Sequence, residues 1–431
     1  MNNGKIMYNW AVDLYPLHRS ITGEGVRSSL KYIKEILPGL DIKEIPSGTP
    51  VYDWIVPEEW NIEEAWIADE DNNKIIDFKN NNLHVLGYSV NVNKHISLEE
   101  LNKHLYSKKN LPDAIPYVTS YYEKRWGFCL SQNQREVLKD GIYHVFINSS
   151  FSSGVMNYAD ILIPGDSKKE VLLSTYICHP SMANNELSGP VVTIALALWL
   201  KSLKKRNYSY RIVFKPETIG TISYISENFN ALKNNVIAGF NITCVGDNNS
   251  YSFLPTRKEN TIIDDIAKQV LSSIDNDYKS YTWLDRGSDE RQYCSPGVDL
   301  PIVSIMRTKY GEYPEYHTSK DDLNFISEEG LFGGFTAIKN CIEIVENNII
   351  YKVNTLCEPK MDKLNLYPTL SLGQKMISQD VDFMMNIISL CDGEMSVFDI
   401  SKYMKVPFNK VNEVISILHN NRVISKVGYS I

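Results

Sequence analysis

The chain has 431 residues, of which 43% are hydrophobic and 22% charged, and carries a formal net charge of −8. That length exceeds what one hydrophobic core serves, so two or three folded domains are expected. The acidic balance gives no overall electrostatic reason to bind nucleic acid or an anionic membrane.

The opening MNNGKIMYNWAVDLYPLHRS lacks the basic start, apolar stretch and small-residue cleavage site of a secretory signal, so a cytoplasmic location is expected. Helical spacing of apolar residues runs through 7–37 and stops at Pro38-Gly39. From about 50 to 115 the texture changes to short alternating or aromatic segments (VYDWIV, EAWIAD, KIIDF, HVLGYSV) separated by Asp-Asn, Asn-Asn and Pro, which predicts a small β-rich insert. Strands are then predicted at 143–148, 159–163, 170–177, 210–214, 236–246 and 301–306, and helices at 189–205, 219–232, 259–274 and 328–348. Apolar strands bracketing amphipathic helices predict an α/β domain around a largely buried mixed sheet. Its longest apolar run, Val191 to Leu200, is about half of a bilayer span.

After Cys357-Glu358-Pro359-Lys360 the pattern becomes compact and helical, with helices predicted at 380–391, 396–404 and 408–420 and a terminal hairpin in RVISKVGYSI. That order resembles a winged helix. Residues 371–431 hold six Lys/Arg against six Asp/Glu, so no basic face is available for phosphates; a protein contact is the expected role and DNA the disfavoured one. The expected domains are therefore 1–48 with 116–355, an insert at 49–115, and 360–431. The seven cysteines are odd in number, widely spread and never in a Cys-x-x-Cys pair, which suits reduced thiols.

Two of the eight histidines stand apart. His179 ends an apolar strand in STYICHPSMANNELSGP, and His317 lies in GEYPEYHTSKDDL. Between them, Glu217 and Asp247 each end another predicted strand. In an α/β sheet, strand ends converge on one pocket, and imidazole with carboxylate suits zinc. A free carboxylate beside the ion can accept a proton from water. In WLDRGSDERQYCSPG, Arg286, Asp289, Glu290 and Arg291 lie close to the strand that leads to His317. Read as pocket lining, an acid there would take a substrate ammonium and an arginine a carboxylate; read as a solvated loop, they would do neither. Tyr313, Tyr316, Trp283 and Tyr293 are candidate apolar walls.

The motifs HPSMANNELSG, PETIGTI, CVGD, GSDERQYCSPG and GEYPEYHTS, in that order, resemble the zinc aminopeptidases of the leucyl-aminopeptidase and glutaminyl-cyclase type (peptidase clan MH) over residues 1–48 and about 116–350. More closely they resemble an uncharacterised bacterial branch of that clan, with an inserted β domain and a C-terminal winged helix, often beside surface-polysaccharide genes. The resemblance implies a three-layer α/β/α aminopeptidase-like sandwich. It implies His179 and His317 as the first and last metal ligands and Glu217 as general base. Thr218 stands where the family has a metal-binding glutamate, and Asn185 where it has the bridging aspartate. Ser181 replaces the aspartate that orients the first histidine, and Thr243 replaces a further aspartate, with Asp247 four residues on as the substitute. With three metal-binding carboxylates replaced, one zinc is expected rather than two. Glu186 is the alternative to Asn185, and Glu217 is the alternative metal ligand.

The expectation is a zinc-dependent aminopeptidase-type hydrolase, with His179, Asn185, Asp247 and His317 at the metal, Glu217 as base, and Arg286, Asp289, Glu290 and Tyr316 on the substrate. The substrate would be a small peptide or related amide. The alternative is a decayed, metal-free member of the fold that binds or regulates.

Overall fold

The computed structural model describes residues 3–361 and 374–429, in two compact units that divide near Ile338. The first is a three-layer α/β/α sandwich on an eight-stranded mixed sheet. Its strands run in the order Asp41–Pro46, Val155–Ile163, Ser209–Lys215, Glu170–Tyr176, Val236–Asn241, Ile302–Met306, Ser252–Leu254 and Lys279–Ser280. The four from Ser209 to Met306 are mutually parallel. Every residue of Glu170–Tyr176 is buried, as a central strand covered on both faces requires. The parallel strands all end on the same edge, and this edge carries the loops that begin at Ile177, Pro216 and Ile242.

The helix Ser188–Ser202 follows a single π-type turn over Ala183–Leu187. Its first residues pack hard on the sheet. A Cβ on Gly189 would lie 2.4 Å from the Ile242 carbonyl oxygen and 2.5 Å from Thr175 Oγ1, so only glycine lets the helix start this close. Among the described residues, no helix is long and apolar enough to cross a membrane.

The insert forms an antiparallel sheet in the order Lys74–Asp77, Glu59–Ala68, Ile142–Ser152 and Val92–Ser97. Here the structure departs from the sequence reading, which placed 143–148 in the α/β sheet. The strand pairs instead with Glu59–Ala68, and Tyr143, Val145 and Ile147 are buried in the insert's own core. The cause is visible in IYHVFIN: apolar residues alternate with half-buried ones, the pattern of a strand with one covered face. The insert thus returns to the main sheet through the turn between Ser152 and Val155.

The second unit is a winged helix, with helices Gln374–Leu390, Val397–Met404 and Phe408–Asn420. Its sheet orders Asp392–Ser396, Ile349–Val353 and Ile424–Tyr429. Two expectations are corrected. RVISKVGYSI contributes one strand rather than a hairpin, its last two residues lying outside the described ones. The partner of that strand is Ile349–Val353, so the unit takes in residues before the boundary expected at 360. The β-branched run IIYKV directly after a helix was the overlooked strand signal.

Candidate active site

His179 follows the central strand and is 3% exposed. Its Nδ1–H donates to Glu186 Oε2 at 2.6 Å, which leaves Nε2 free to face outward, 3.7 Å from Glu217 Oε2. Glu186 reaches this position because the π-type turn adds a residue to the helical path and swings its side chain under the loop. The other oxygen of Glu186 accepts the Cys178 backbone N–H and lies 3.6 Å from Nε of the fully buried Arg19. Cys178, His179 and Glu186 are close enough together to resemble a metal cluster. Both Glu186 oxygens and His179 Nδ1 are, however, already hydrogen-bonded, and Cys178 Sγ accepts from the Glu217 N–H at 3.2 Å. This cluster supports the site rather than holding an ion.

His317 arrives from the opposite loop. Its ring centroid is 5.5 Å from that of His179, it stacks on Tyr316 at 3.9 Å, and Tyr117 presents its ring to both imidazoles at 5.1 and 5.2 Å. A segment within the insert holds this loop in place, since the Tyr117 N–H donates to the His317 carbonyl and the Ser319 N–H to that of Ile115. His317 has φ 56° and Thr218 φ 59°, left-handed conformations that cost a non-glycine residue about 1–3 kcal/mol. Such strain persists only where packing overrides it, and here it falls on the two loops that face one another.

Glu217 follows, two residues on, the strand Ser209–Lys215, which pairs with the strand that leads to His179. Burial pushes its carboxyl up to about 7, against the pull of His179. Ser288 Oγ donates to its Oε1 at 3.2 Å. Burial pushes His317 down to about 3, with the charges of His179 and Lys108 adding to the effect, so its ring is neutral and able to donate an electron pair at physiological pH. In His179 burial opposes the charged form, but Cys178 and Glu186 outweigh it and raise the pKa well above the ordinary value. Burial also pushes the Cys178 thiol up to about 11, so at neutral pH the negative charge comes from Glu186.

The other expected ligands fare differently. Asp247 is engaged by other partners. It accepts from Asn184 Nδ2, the Asn249 N–H, and the N–H and hydroxyl of Thr308, which occupies both oxygens in tying three loops together. Asn185 is buried with its amide 3.3 Å from the Tyr176 hydroxyl, while Thr243 Oγ1 lies 2.6 Å from that same hydroxyl. A neutral network of amide and hydroxyls thus fills the place where the resemblance implies two metal-binding aspartates. Ser181 donates to the Tyr15 carbonyl.

The substrate-binding expectation for Asp289 and Glu290 is also corrected. Asp289 is fully buried in an ion pair with Lys215 and accepts the Thr218 N–H, so it holds the loop that carries Glu217. Glu290, also fully buried, accepts from the Gly287 and Ser288 N–H groups, Asn241 and Tyr310. Neither is available to an ammonium. Arg286 is exposed over Trp283, whereas Arg291 reaches Thr218 Oγ1 at 2.7 Å. Tyr316 does stand at the site, against His317. Sequence reasoning missed Arg19, Tyr117 and Asp321. Asp321 lies within the quoted HTSKDD, and its buried carboxylate accepts the N–H groups of Asn184 and Asn185 that begin the π-type turn.

The groups free to act at an ion are therefore His179 Nε2 and the neutral His317 ring as ligands, with the Glu217 carboxylate within reach as the base or as a third ligand. Zinc bonds of about 2.0–2.2 Å put two ligand atoms up to about 4 Å apart. The 3.7 Å between Nε2 and Oε2 fits that limit.

Residues 8–348 match the family described as a domain of unknown function, DUF4910, and residues 349–426 match a winged helix-turn-helix family. The chain belongs to the DUF4910 family. Among its relatives is a Clostridium acetobutylicum protein named "Putative polysaccharide biosynthesis protein with aminopeptidase-like domain", 40% identical over 98% of this chain and 97% of that one. A crystal structure of a "putative peptidase" from Clostridium acetobutylicum is 38% identical, covers 98% of this chain and 96% of its own, and superposes with a TM-score of 0.92. A zinc aminopeptidase from Bacillus subtilis shares 13% identity over 79% of this chain and 94% of its own, with a TM-score of 0.58. A peptidase M28 precursor from Shewanella amazonensis shares 12% over 83% and 98%, with a TM-score of 0.54. These last two establish that the DUF4910 domain has the aminopeptidase fold.

Proposed function

We propose that this DUF4910 protein is a zinc-dependent amide hydrolase of the aminopeptidase type, with one ion held by His179 and His317. The observation that carries the reading is the convergence of those two rings, 5.5 Å apart, with Glu217 3.7 Å from His179 Nε2. A zinc ion there would polarise the scissile carbonyl and acidify water. Glu217, desolvated until it titrates near neutrality, is suited to take a proton from water and return it to the leaving nitrogen. Glu186 holds His179 in the tautomer that presents Nε2, and Asp289 with Lys215 fixes the loop of Glu217. Tyr117 and Tyr316 form an aromatic wall over the histidines that sheds water. The name of the Clostridium acetobutylicum relative supports a role in polysaccharide biosynthesis, and seven free thiols, six of them buried, suit a reducing compartment such as the cytoplasm.

The test pairs a metal assay of the purified full chain with hydrolysis of a panel of aminoacyl amides and N-acyl compounds. About one zinc per chain, and turnover lost in Glu217→Gln, is the expected result. The second reading, a metal-free binding protein, is favoured by the neutral residues at positions 185, 218 and 243. Protein that takes up no zinc and hydrolyses nothing would establish it.

A further inference from the structure

Arg19 is a cation closed off from water, and its burial needs a physical reason. Its side chain is fully buried, as is that of Glu186, whose Oε1 lies 3.6 Å from Arg19 Nε. Arg19 pairs with no other acid among the described residues. Hydrogen bonding does not account for its place either. Nη1 donates to the Leu14 carbonyl at 2.5 Å, whereas Nε and Nη2 have no hydrogen-bond partner among the described residues. Taking a guanidinium out of water with donors unmet is unfavourable, and an opposite charge close by is what offsets it. Glu186 supplies that charge.

The two ends of this contact are fixed independently. Leu14 is the last residue of the helix Asn3–Leu14, where unpaired carbonyls favour a cation. Glu186 Oε1 also accepts the Cys178 N–H, and Glu186 Oε2 accepts from His179 Nδ1 at 2.6 Å. One carboxylate thus joins the arginine to the imidazole, with an oxygen for each. The segment after the helix meets the His179 loop at a second point, where Ser181 Oγ donates to the Tyr15 carbonyl at 2.8 Å. That contact is neutral and involves neither His179 nor Glu186.

We propose that Arg19 is a positioning residue of the metal site, holding the Glu186 carboxylate so that Oε2 stays on His179 Nδ1 and Nε2 faces the ion. The inference rests on the hydrolase reading above and adds to it a residue that touches neither ion nor substrate. Without the guanidinium, Glu186 Oε1 keeps the Cys178 N–H alone. The carboxylate is then free to turn, and the imidazole to turn with it. An arginine that only braced the end of the first helix would contribute stability and leave His179 as it is.

Zinc affinity of the full-length protein is measured by competition with a chromophoric chelator in the wild type, Arg19→Met, Glu186→Gln and the double variant. The expected result is a loss of about 10-fold or more in Arg19→Met. The double variant should lose no more than Glu186→Gln alone, because both changes break the same link. Unchanged affinity in Arg19→Met, or losses that multiply in the double variant, overturns the inference and leaves the hydrolase reading standing. Should Arg19→Met fail to fold, Arg19→Lys, which keeps the charge but lacks the planar fork, is judged by the same two criteria. A wild type that takes up no zinc defeats the hydrolase reading, and a second readout on metal-free protein then decides the role of Arg19. This is the low-field proton resonance of His179 Nδ1, assigned by its loss in His179→Gln. Its weakening or disappearance in whichever Arg19 variant folds sustains the positioning role, and an unchanged resonance overturns it.

Discussion

Glu186 Oε2 stands 2.6 Å from His179 Nδ1, seven residues on in the chain and across a π-type turn. This carboxylate does for His179 what an aspartate two residues after the histidine does in the aminopeptidases that the sequence resembles. It fixes the ring's tautomer and raises the basicity of Nε2. Removing such a partner weakens metal binding by about 10–100-fold. Glu186→Gln should therefore lower zinc affinity within that range while the protein stays folded, as read by competition with a chromophoric chelator. Ser181→Ala, whose hydroxyl serves only the Tyr15 carbonyl, should leave zinc affinity unchanged.

Glu217 gives a prediction about stability as well as turnover. Its folded pKa, about 7, lies above the ordinary value of 4.5 because burial disfavours the charged form. For a raised acid the stabilising contribution is fully present below pH 4.5 and is lost as pH rises through about 7. In chelator-treated protein Glu217→Gln should match the wild type near pH 4. At pH 8 it should be more stable by up to about 3 kcal/mol, the charge penalty having been removed. Thermal melts of both proteins across that range measure the difference, and the same variant should have no turnover when loaded with zinc.

Lys215 and Asp289 form a fully buried ion pair at the base of the Glu217 loop. Breaking such a pair leaves one charge without a partner and costs about 3–5 kcal/mol. Lys215→Met should lose that much in urea unfolding, with Asp289→Asn close behind. The double variant Lys215→Met/Asp289→Leu should recover a large part of the loss, because no uncompensated charge remains. Equal additive losses would show that the pair is not coupled.

The sequence made some of this legible and concealed the rest, for physical reasons. Buried parallel strands such as EVLLSTYI announce themselves by a largely apolar run, and their ends placed His179 and Glu217 in neighbouring loops. The meeting with His317 required long-range order that no local pattern carries; it came from the family resemblance. Side-chain partnership was the least legible level. Asp289 and Glu290 in GSDERQY were open to two readings, pocket lining or solvated loop, and were assigned to the substrate; both are buried, because Lys215 meets Asp289 from a distant strand and the Gly287 and Ser288 N–H groups turn onto Glu290. Asp247 was assigned to metal on its place at a strand end. The strand in fact stops at Asn241, and Cys244, at φ 52°, turns the chain away before Asp247.

The close approach of helix and sheet at Gly189 sets the last prediction. The helix that starts there carries the π-type turn, and with it Glu186, at its N-terminal end. Gly189→Ala would push a methyl group to 2.4 Å from the Ile242 carbonyl oxygen and 2.5 Å from Thr175 Oγ1. The carbonyl belongs to the backbone and cannot yield as a flexible side chain would, so the helix start must move outward. Overpacking of this kind costs about 1–3 kcal/mol. The displacement should also lengthen the His179–Glu186 bond, so that zinc affinity falls together with stability. Gly48→Ala, where nothing lies within 4 Å of the added carbon but φ is 82°, serves as the control: it should lose stability through backbone strain and keep zinc affinity intact. Parallel urea and zinc titrations of the two variants would test whether the metal site depends on how closely this helix packs or only on whether the protein is folded.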